Sequence, residues 1–474
     1  MVNLEKIDDI VERAMLAAAE FQQFTQEETD HVVEAVYKAG FNARVDLAHQ
    51  AFEETGLGIW EHKVLKNVIA TQLVYECIRH EKTVGIISRD PVTGITEIAR
   101  PLGPVLALAP ATNPTSTVLF KILICMKTRN PVIIRPHTSA RKCCRETVRI
   151  CYEAALNAGA PEDCIQITGG MRDFTQVLMS HPGIALILAT GGTSLVKAAN
   201  SSGNPAIGVG PGNVPVYIDE SADIPFAVSN IIASKTFDNG TICASEQAIV
   251  VEKSLAEKVR EEFIRQKCYF LNSEETMKVG RIAFNPEQEI MSPFIVGQPV
   301  EVIARKAGIV VPEGTRLLIA PIDGVGKGYP LSYEILAPLL AFYSAKDYHS
   351  AINICIDLNY LGGLGHSAGI YANDEKRIAE FSGLINVGRI LVNSPTSQGA
   401  VGGIYNNLTP SLTLGCGTGG KNITTENITA KHLLNIQRVC YRKVNKNWEE
   451  MDLNRYYDTS LDEAQLIKEY TKSH

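Results

Sequence analysis

The chain has 474 residues and a formal net charge of −7, well beyond the size at which one hydrophobic core stops growing, so more than one domain is expected. Its lysines and arginines are spread out, which leaves no basic stripe for nucleic acid, and no apolar run reaches the roughly 18 residues of a membrane span. Eleven cysteines without zinc-type spacing point to a reducing cytoplasm and to no metal site.

The start, MVNLEKIDDIVERA, is acidic and amphipathic rather than signal-like. Apolar residues at helical spacing predict helices over 4–22 and 27–53, capped by Thr25 or Asp30 and covering the first domain. In GIISRDPVTGITEIARP, residues 85–101, two β-prone arms flank the turn signal Pro91-Val92-Thr93-Gly94 and predict a hairpin. From 104 to 220 short apolar runs (PVLALAP, PVIIRP, IQIT, IALILAT) alternate with helices over 116–127, over 140–158 and around Leu178. That alternation implies a doubly covered parallel sheet, with ligands at the carboxyl ends of its strands. The adjacent Cys143 and Cys144 read as structural. A second α/β region spans about 221–420. Beyond Ile436 come a β-prone run, IQRVCYRKV, a polar linker and a loosely held amphipathic helix, SLDEAQLIKEY.

The chemistry centres on TFDNGTICASEQAIVV, residues 236–251, where Cys243 stands between a loop-forming Asp238-Asn239-Gly240 and a β-branched run. A thiol in a polar, glycine-containing loop suits covalent catalysis, whereas a packing cysteine belongs inside an apolar run. Asn113, in PATNPTST at a strand end, is either a turn residue before proline or an amide donor for an oxyanion. Thr190-Gly191-Gly192-Thr193-Ser194, between a strand and a helix, is a helix cap or a pyrophosphate site, and its setting favours the second. GVGPGN, residues 208–213, is rejected as a phosphate loop because it contains Pro211 and runs into the strand PVYID. Arg135, at the end of PVIIRP, is a solvated charge or a partner for a 2′-phosphate. On its own terms Glu334 is a solvated carboxylate, and His366, among the glycines of GGLGHSAGIY, is structural or a proton shuttle.

The nucleophile stretch, together with ETGLGIWEHKVLKN, ATNPTSTVLFK, LATGG, AIGVGPGN, GHSAGIY, PSLTLGCG and TTENIT, resembles the aldehyde dehydrogenase superfamily over nearly the whole chain. The likeness is to its CoA-acylating branch, found at the front of bifunctional aldehyde-alcohol dehydrogenases and in stand-alone acylating enzymes. The resemblance implies an α/β aldehyde dehydrogenase fold: a Rossmann-like cofactor domain over 1–84 and 102–220, a catalytic domain over 221–420 with Cys243, an oligomerisation arm over 85–101 and 434–445, and a tail over 446–474. It implies Cys243 as nucleophile, Asn113 and the Cys243 N–H as oxyanion donors, and His366 as proton shuttle. Cofactor contacts would come from Thr112, Arg135, His137, Thr138, Thr190, Gly191, Gly192 and Gly210, with Glu334 on the nicotinamide ribose and Pro338 shaping the turn of an E-x-x-x-P motif.

Two departures carry information. Gly208-Val209-Gly210 offers no carboxylate where hydrolytic members have a water-activating glutamate, so coenzyme A rather than water would take the acyl group. Arg135-Pro136-His137-Thr138 holds no acid for a ribose 2′-hydroxyl, which leans the cofactor from NAD toward NADP. The expected reaction is aldehyde + CoA + NAD(P)+ to acyl-CoA + NAD(P)H, in either direction. Thr418-Gly419 stands where the branch commonly has Ser-Trp, implying an aldehyde pocket without an aromatic wall, so sulfoacetaldehyde and succinic semialdehyde compete with acetaldehyde. A homodimer or homotetramer is expected, in the cytoplasm or, through the terminal helix, in a microcompartment. No iron-type alcohol dehydrogenase domain is expected to follow. The alternatives are a hydrolytic dehydrogenase and a non-catalytic binding relative.

Overall fold

The computed structural model describes residues 4–170, 172–287 and 290–470; of the predicted tail, 471–474 lie outside the described residues. The chain divides into two units: Met1–Thr83 with Pro101–Leu434, and Val84–Arg100 with Asn435–His474.

The second unit is built on the predicted hairpin. Strands β1 (Gly85–Asp90) and β2 (Ile95–Pro101) pair antiparallel. Asp90 holds the turn by accepting from Val92 N–H and Thr93 N–H at 2.8 and 3.2 Å. IQRVCYRKV, expected to pair with a hairpin arm in an oligomer, pairs instead with β2 of its own chain, as the last strand (Leu434–Cys440) of a three-stranded sheet.

The larger unit contains two parallel sheets. The first runs in the order Ile165–Ile167 (β5), Val132–Pro136 (β4), Val105–Ala109 (β3), Leu186–Thr190 (β6), Ala206–Val209 (β7). Alternation along β3 shows why it is apolar throughout: Val105, Ala107 and Ala109 enter the core on one face, and Leu106 and Leu108 enter that on the other. Each such fully buried valine or leucine contributes about 1.5–3 kcal/mol relative to exposure. The second sheet has seven strands, with Val214–Ile218 (β8) and Glu246–Glu252 (β9) near its centre, and its core residues alternate in the same way.

Helices α1 (Leu4–Phe21), α2 (Gln26–Asn42), α3 (Arg44–Thr55) and α4 (Trp60–Val68) precede the sheets. The predicted 27–53 helix is thus two, broken at Ala43. Thr25 is the cap, in a capping box with Glu28. Asp30 is not a cap; its carboxylate accepts from the buried Lys127 ammonium at 2.6 Å. Every residue of the helix Pro114–Lys127 is buried. In the first sheet the connections reverse direction between β3 and β6, and the loops at the carboxyl ends of these strands, 110–113 and 191–194, open on one crevice. Among the described residues no helix is long and apolar enough to cross a membrane.

Candidate active site

The crevice is a cavity of about 590 Å3 that runs from Arg135, His137 and Thr138 past Thr190, Gly191 and Gly192 to Thr112, Asn113, Gly210, Glu334 and Cys243. Eleven of the thirteen predicted site residues therefore line one space. His366 joins them through a hydrogen bond. Pro338 does not line it; Leu336 does, and the Pro338 carbonyl accepts from Leu318 N–H at 3.1 Å.

Cys243 follows a turn in which Asp238, Asn239 and Gly240 all have positive φ, of 50, 51 and 73°. Left-handed backbone costs roughly 1–2 kcal/mol at a non-glycine residue. Here it is held by bonds from distant segments. The Asn239 side-chain amide donates to the Gly297 carbonyl at 2.9 Å, Asp238 N–H donates to His62 Nδ1 at 2.8 Å, and Asp238 Oδ1 accepts from Ile59 N–H at 2.7 Å.

The Cys243 sulfur stands 3.3 Å from His366 Nε2, and the other ring nitrogen lies 3.1 Å from Ser367 Oγ. Burial, reinforced by the carboxylate of Glu334, pushes the thiol up to about 12. Burial, reinforced by the Arg389 guanidinium, pushes the imidazole down to about 3. The resting pair is therefore a neutral thiol beside a neutral imidazole. Arg389 also ties the histidine loop down by donating to the His366 carbonyl at 2.9 Å and to Asn427 Oδ1 at 2.8 Å.

Asn113 occupies the N-cap of the Pro114–Lys127 helix, yet its side chain makes no capping bond. Pro114 at the first helical position lacks an N–H, and the amide is turned elsewhere. Its Nδ2 donates to Thr112 Oγ1 at 3.2 Å and to the Thr241 carbonyl at 3.3 Å, and its Oδ1 accepts from Lys66 Nζ at 2.5 Å. Lys66 and Lys63 lie three apart on one face of α4, both buried on the single carboxylate of Asp238, at 2.5 and 3.0 Å. Sequence reasoning missed this cluster. Its signal was a pair of lysines at helical spacing in WEHKVLKNV, and the carboxylate they share, Asp238, is more than 170 residues away.

Glu334 Oε1 accepts from Gly212 N–H at 2.8 Å, and burial raises its carboxyl to about 7. GVGPGN runs into β8 as expected and serves close approach: a Cβ on Gly212 would lie 2.3 Å from the Cys243 carbonyl oxygen. Arg135 lines the cavity but is not a free fork. Its guanidinium donates to Thr175 Oγ1 at 3.0 Å, to the Gly170 carbonyl at 2.7 Å and to the Pro136 carbonyl. Thr418 and Gly419 do not line this cavity. A Cβ on Gly419 would meet the Leu364 carbonyl oxygen at 3.2 Å, which explains glycine there by packing.

The cavity fits a dinucleotide. Among the described residues the buried Thr190 Oγ1 has no hydrogen-bond partner, and the helix Thr193–Asn200 opens at Gly192 with no side-chain cap, leaving its first N–H groups for an anion.

Two parallel sheets meeting at a cleft lined by a cysteine, a side-chain amide and a glycine turn at a helix start define a doubly wound α/β fold. The family model for the aldehyde dehydrogenase family matches residues 1–406, and the chain belongs to that family. It is 43% identical to the bifunctional aldehyde-alcohol dehydrogenase of Escherichia coli over 96% of this chain and 52% of that protein, so it spans about half the length of this relative. It is 34% identical to the succinate-semialdehyde dehydrogenase (acetylating) of Clostridium kluyveri, over 93% of this chain and 97% of that one. Among solved structures, an acetylating aldehyde dehydrogenase from Geobacillus thermoglucosidasius superposes with a TM-score of 0.90 at 48% identity, covering 93% of this chain and 97% of that one.

Proposed function

We propose that the chain is a CoA-acylating aldehyde dehydrogenase that forms and resolves a thioester on Cys243. The observation that carries this reading is the contact of Cys243 sulfur with His366 Nε2 at 3.3 Å, in a cavity whose one lining carboxylate among the described residues, Glu334, is already bound to Gly212 N–H. Val209 stands in that lining where hydrolytic relatives would need a base. Relatives named as acetylating or acylating agree with it.

The Thr190–Gly192 turn and Glu334 would hold a nicotinamide dinucleotide, Glu334 at its nicotinamide ribose, and the bound oxidised cofactor would accept the hydride. The Cys243 sulfur bonds to the aldehyde carbon while its proton passes to His366 Nε2, and the carbonyl electron pair moves to oxygen. Because the thiol is pushed up and the imidazole down, this proton moves with the attack rather than before it. Asn113 Nδ2 and the Cys243 N–H receive the oxyanion. Return of that pair expels hydride and leaves the thioester. After His366 has released its proton to solvent, the CoA sulfur attacks the acyl carbon while the CoA thiol proton passes to His366 Nε2, the bond to Cys243 breaks, and the leaving thiolate takes that proton, so one proton is released overall.

On this reading the five-stranded sheet is the cofactor domain, the seven-stranded sheet is the catalytic domain and the hairpin unit is an oligomerisation arm. Small aldehydes are the substrates. NADP is used at least as well as NAD, since the adenosine end is lined by Arg135 and Arg172 with no carboxylate. The test is omission of CoA. About one equivalent of reduced cofactor per site is expected, followed by arrest; steady turnover to the free acid would sink the acylating reading.

A further inference from the structure

We propose that Lys66 is a positioning residue for the oxyanion donor, fixing which end of the Asn113 amide faces the reacting carbonyl and polarising it. The inference rests on the role given to Asn113 above.

A side-chain amide can present oxygen or nitrogen to the same neighbour, and only the nitrogen can serve an oxyanion. A lysine ammonium has three donors and no acceptor. With Lys66 Nζ at 2.5 Å from the amide, the group facing it must be Asn113 Oδ1, which leaves Nδ2 on the side of Thr241 and the nucleophile turn. Its present contacts there are long, 3.2 and 3.3 Å, so the amide protons are loosely spent and ready for a stronger acceptor.

Lys66 is itself over-determined. Asp238 Oδ2 and Thr241 Oγ1 accept from it at 2.5 and 3.0 Å, and Asp238 is fixed in turn by Lys63, Ile59 N–H and its left-handed backbone. Two buried ammonium groups thus share one buried carboxylate. That leaves an excess positive charge behind the amide, where negative charge develops in front of it. Burial draws Lys66 down to about 8, with Asp238 opposing, as an under-neutralised site requires. A lysine serving packing alone would need neither the amide contact nor this surplus.

The test is a double-mutant cycle on single-turnover acylation, read as the burst of reduced cofactor without CoA. Wild type, Lys66→Met, Asn113→Ala and the double variant are compared, with cofactor dissociation constants measured by fluorescence. Lys66→Met is expected to slow the burst about 50-fold with little change in cofactor affinity, and the double variant to be no slower than Asn113→Ala alone. Multiplicative effects would overturn the proposal. If Asn113→Ala is slow and Lys66→Met is not, only the Lys66 proposal falls; if Asn113→Ala acylates at the wild-type rate, the oxyanion reading falls with it. Should Lys66→Met fail to fold, Lys66→Gln, which keeps a weaker neutral donor, replaces it in the same cycle with an expected tenfold loss.

Discussion

Replacing Gly212 by alanine tests how closely the nucleophile is held. Its backbone lies outside the left-handed region, so alanine meets no backbone strain there. The new Cβ would stand 2.3 Å from the Cys243 carbonyl oxygen and 3.1 Å from two His366 ring carbons. Ordinary contact begins at 3.4 Å, so the carbonyl of the nucleophile must retreat by about 1 Å, taking with it the N–H assigned to the oxyanion. Misplacement on that scale costs about a hundredfold in rate, or ~2.7 kcal/mol of barrier. Overpacking should also cost about 1–3 kcal/mol of stability. Steady-state acyl-CoA formation gives kcat, and fluorescence titration gives cofactor affinity. The expected result is kcat down about a hundredfold with cofactor affinity changed by no more than a few fold. Wild-type kcat in a folded Gly212→Ala protein would refute the idea that this approach fixes the nucleophile.

Cys243→Ala should abolish acyl-CoA formation while leaving cofactor binding intact; a tenth of wild-type activity remaining, ~1.4 kcal/mol of barrier, would remove Cys243 from its role. His366 is held neutral down to about pH 3 in the folded protein against an ordinary 6.5, so below pH 6.5 the unfolded chain binds a proton that the folded one refuses. Stability at this site is therefore full above 6.5 and declines as pH falls. In urea unfolding, His366→Gln should lose ~2 kcal/mol less than wild type between pH 7 and pH 5; an equal loss in both would count against a buried neutral imidazole. Arg135→Ala should raise the KM for NADP more than that for NAD, and equal effects would show that its charge does not reach the 2′ position.

Much of the fold was legible because parallel strands buried on both faces must be apolar, as Val105–Ala109 and residues 186–189 are. Thr25 was legible as a cap because its partner, Glu28, is three residues away. The helix break at Ala43 was not. No proline marks it, and a bond beside it, from the Asn67 side-chain amide to the Arg44 carbonyl at 2.9 Å, comes from another helix. The setting of Arg135 was illegible for a related reason: the Gly170 carbonyl to which its guanidinium donates lies 35 residues on. Cys243 could be found from its own loop. What surrounds it could not, since Lys63, Lys66 and Asp238 are each an unremarkable charge until folding buries them together.

Only residues 210–213 separate the last strand of the five-stranded sheet, Ala206–Val209, from the first strand of the seven-stranded sheet, Val214–Ile218. Pro211 stiffens that short joint, and Gly212 within it touches the nucleophile's carbonyl on one side and binds Glu334 on the other. The seam between the sheets and the seat of the reaction are thus the same few atoms. A change in the angle between the sheets at this joint would also move Gly212, and with it the bond to Glu334 and the close approach to the Cys243 carbonyl.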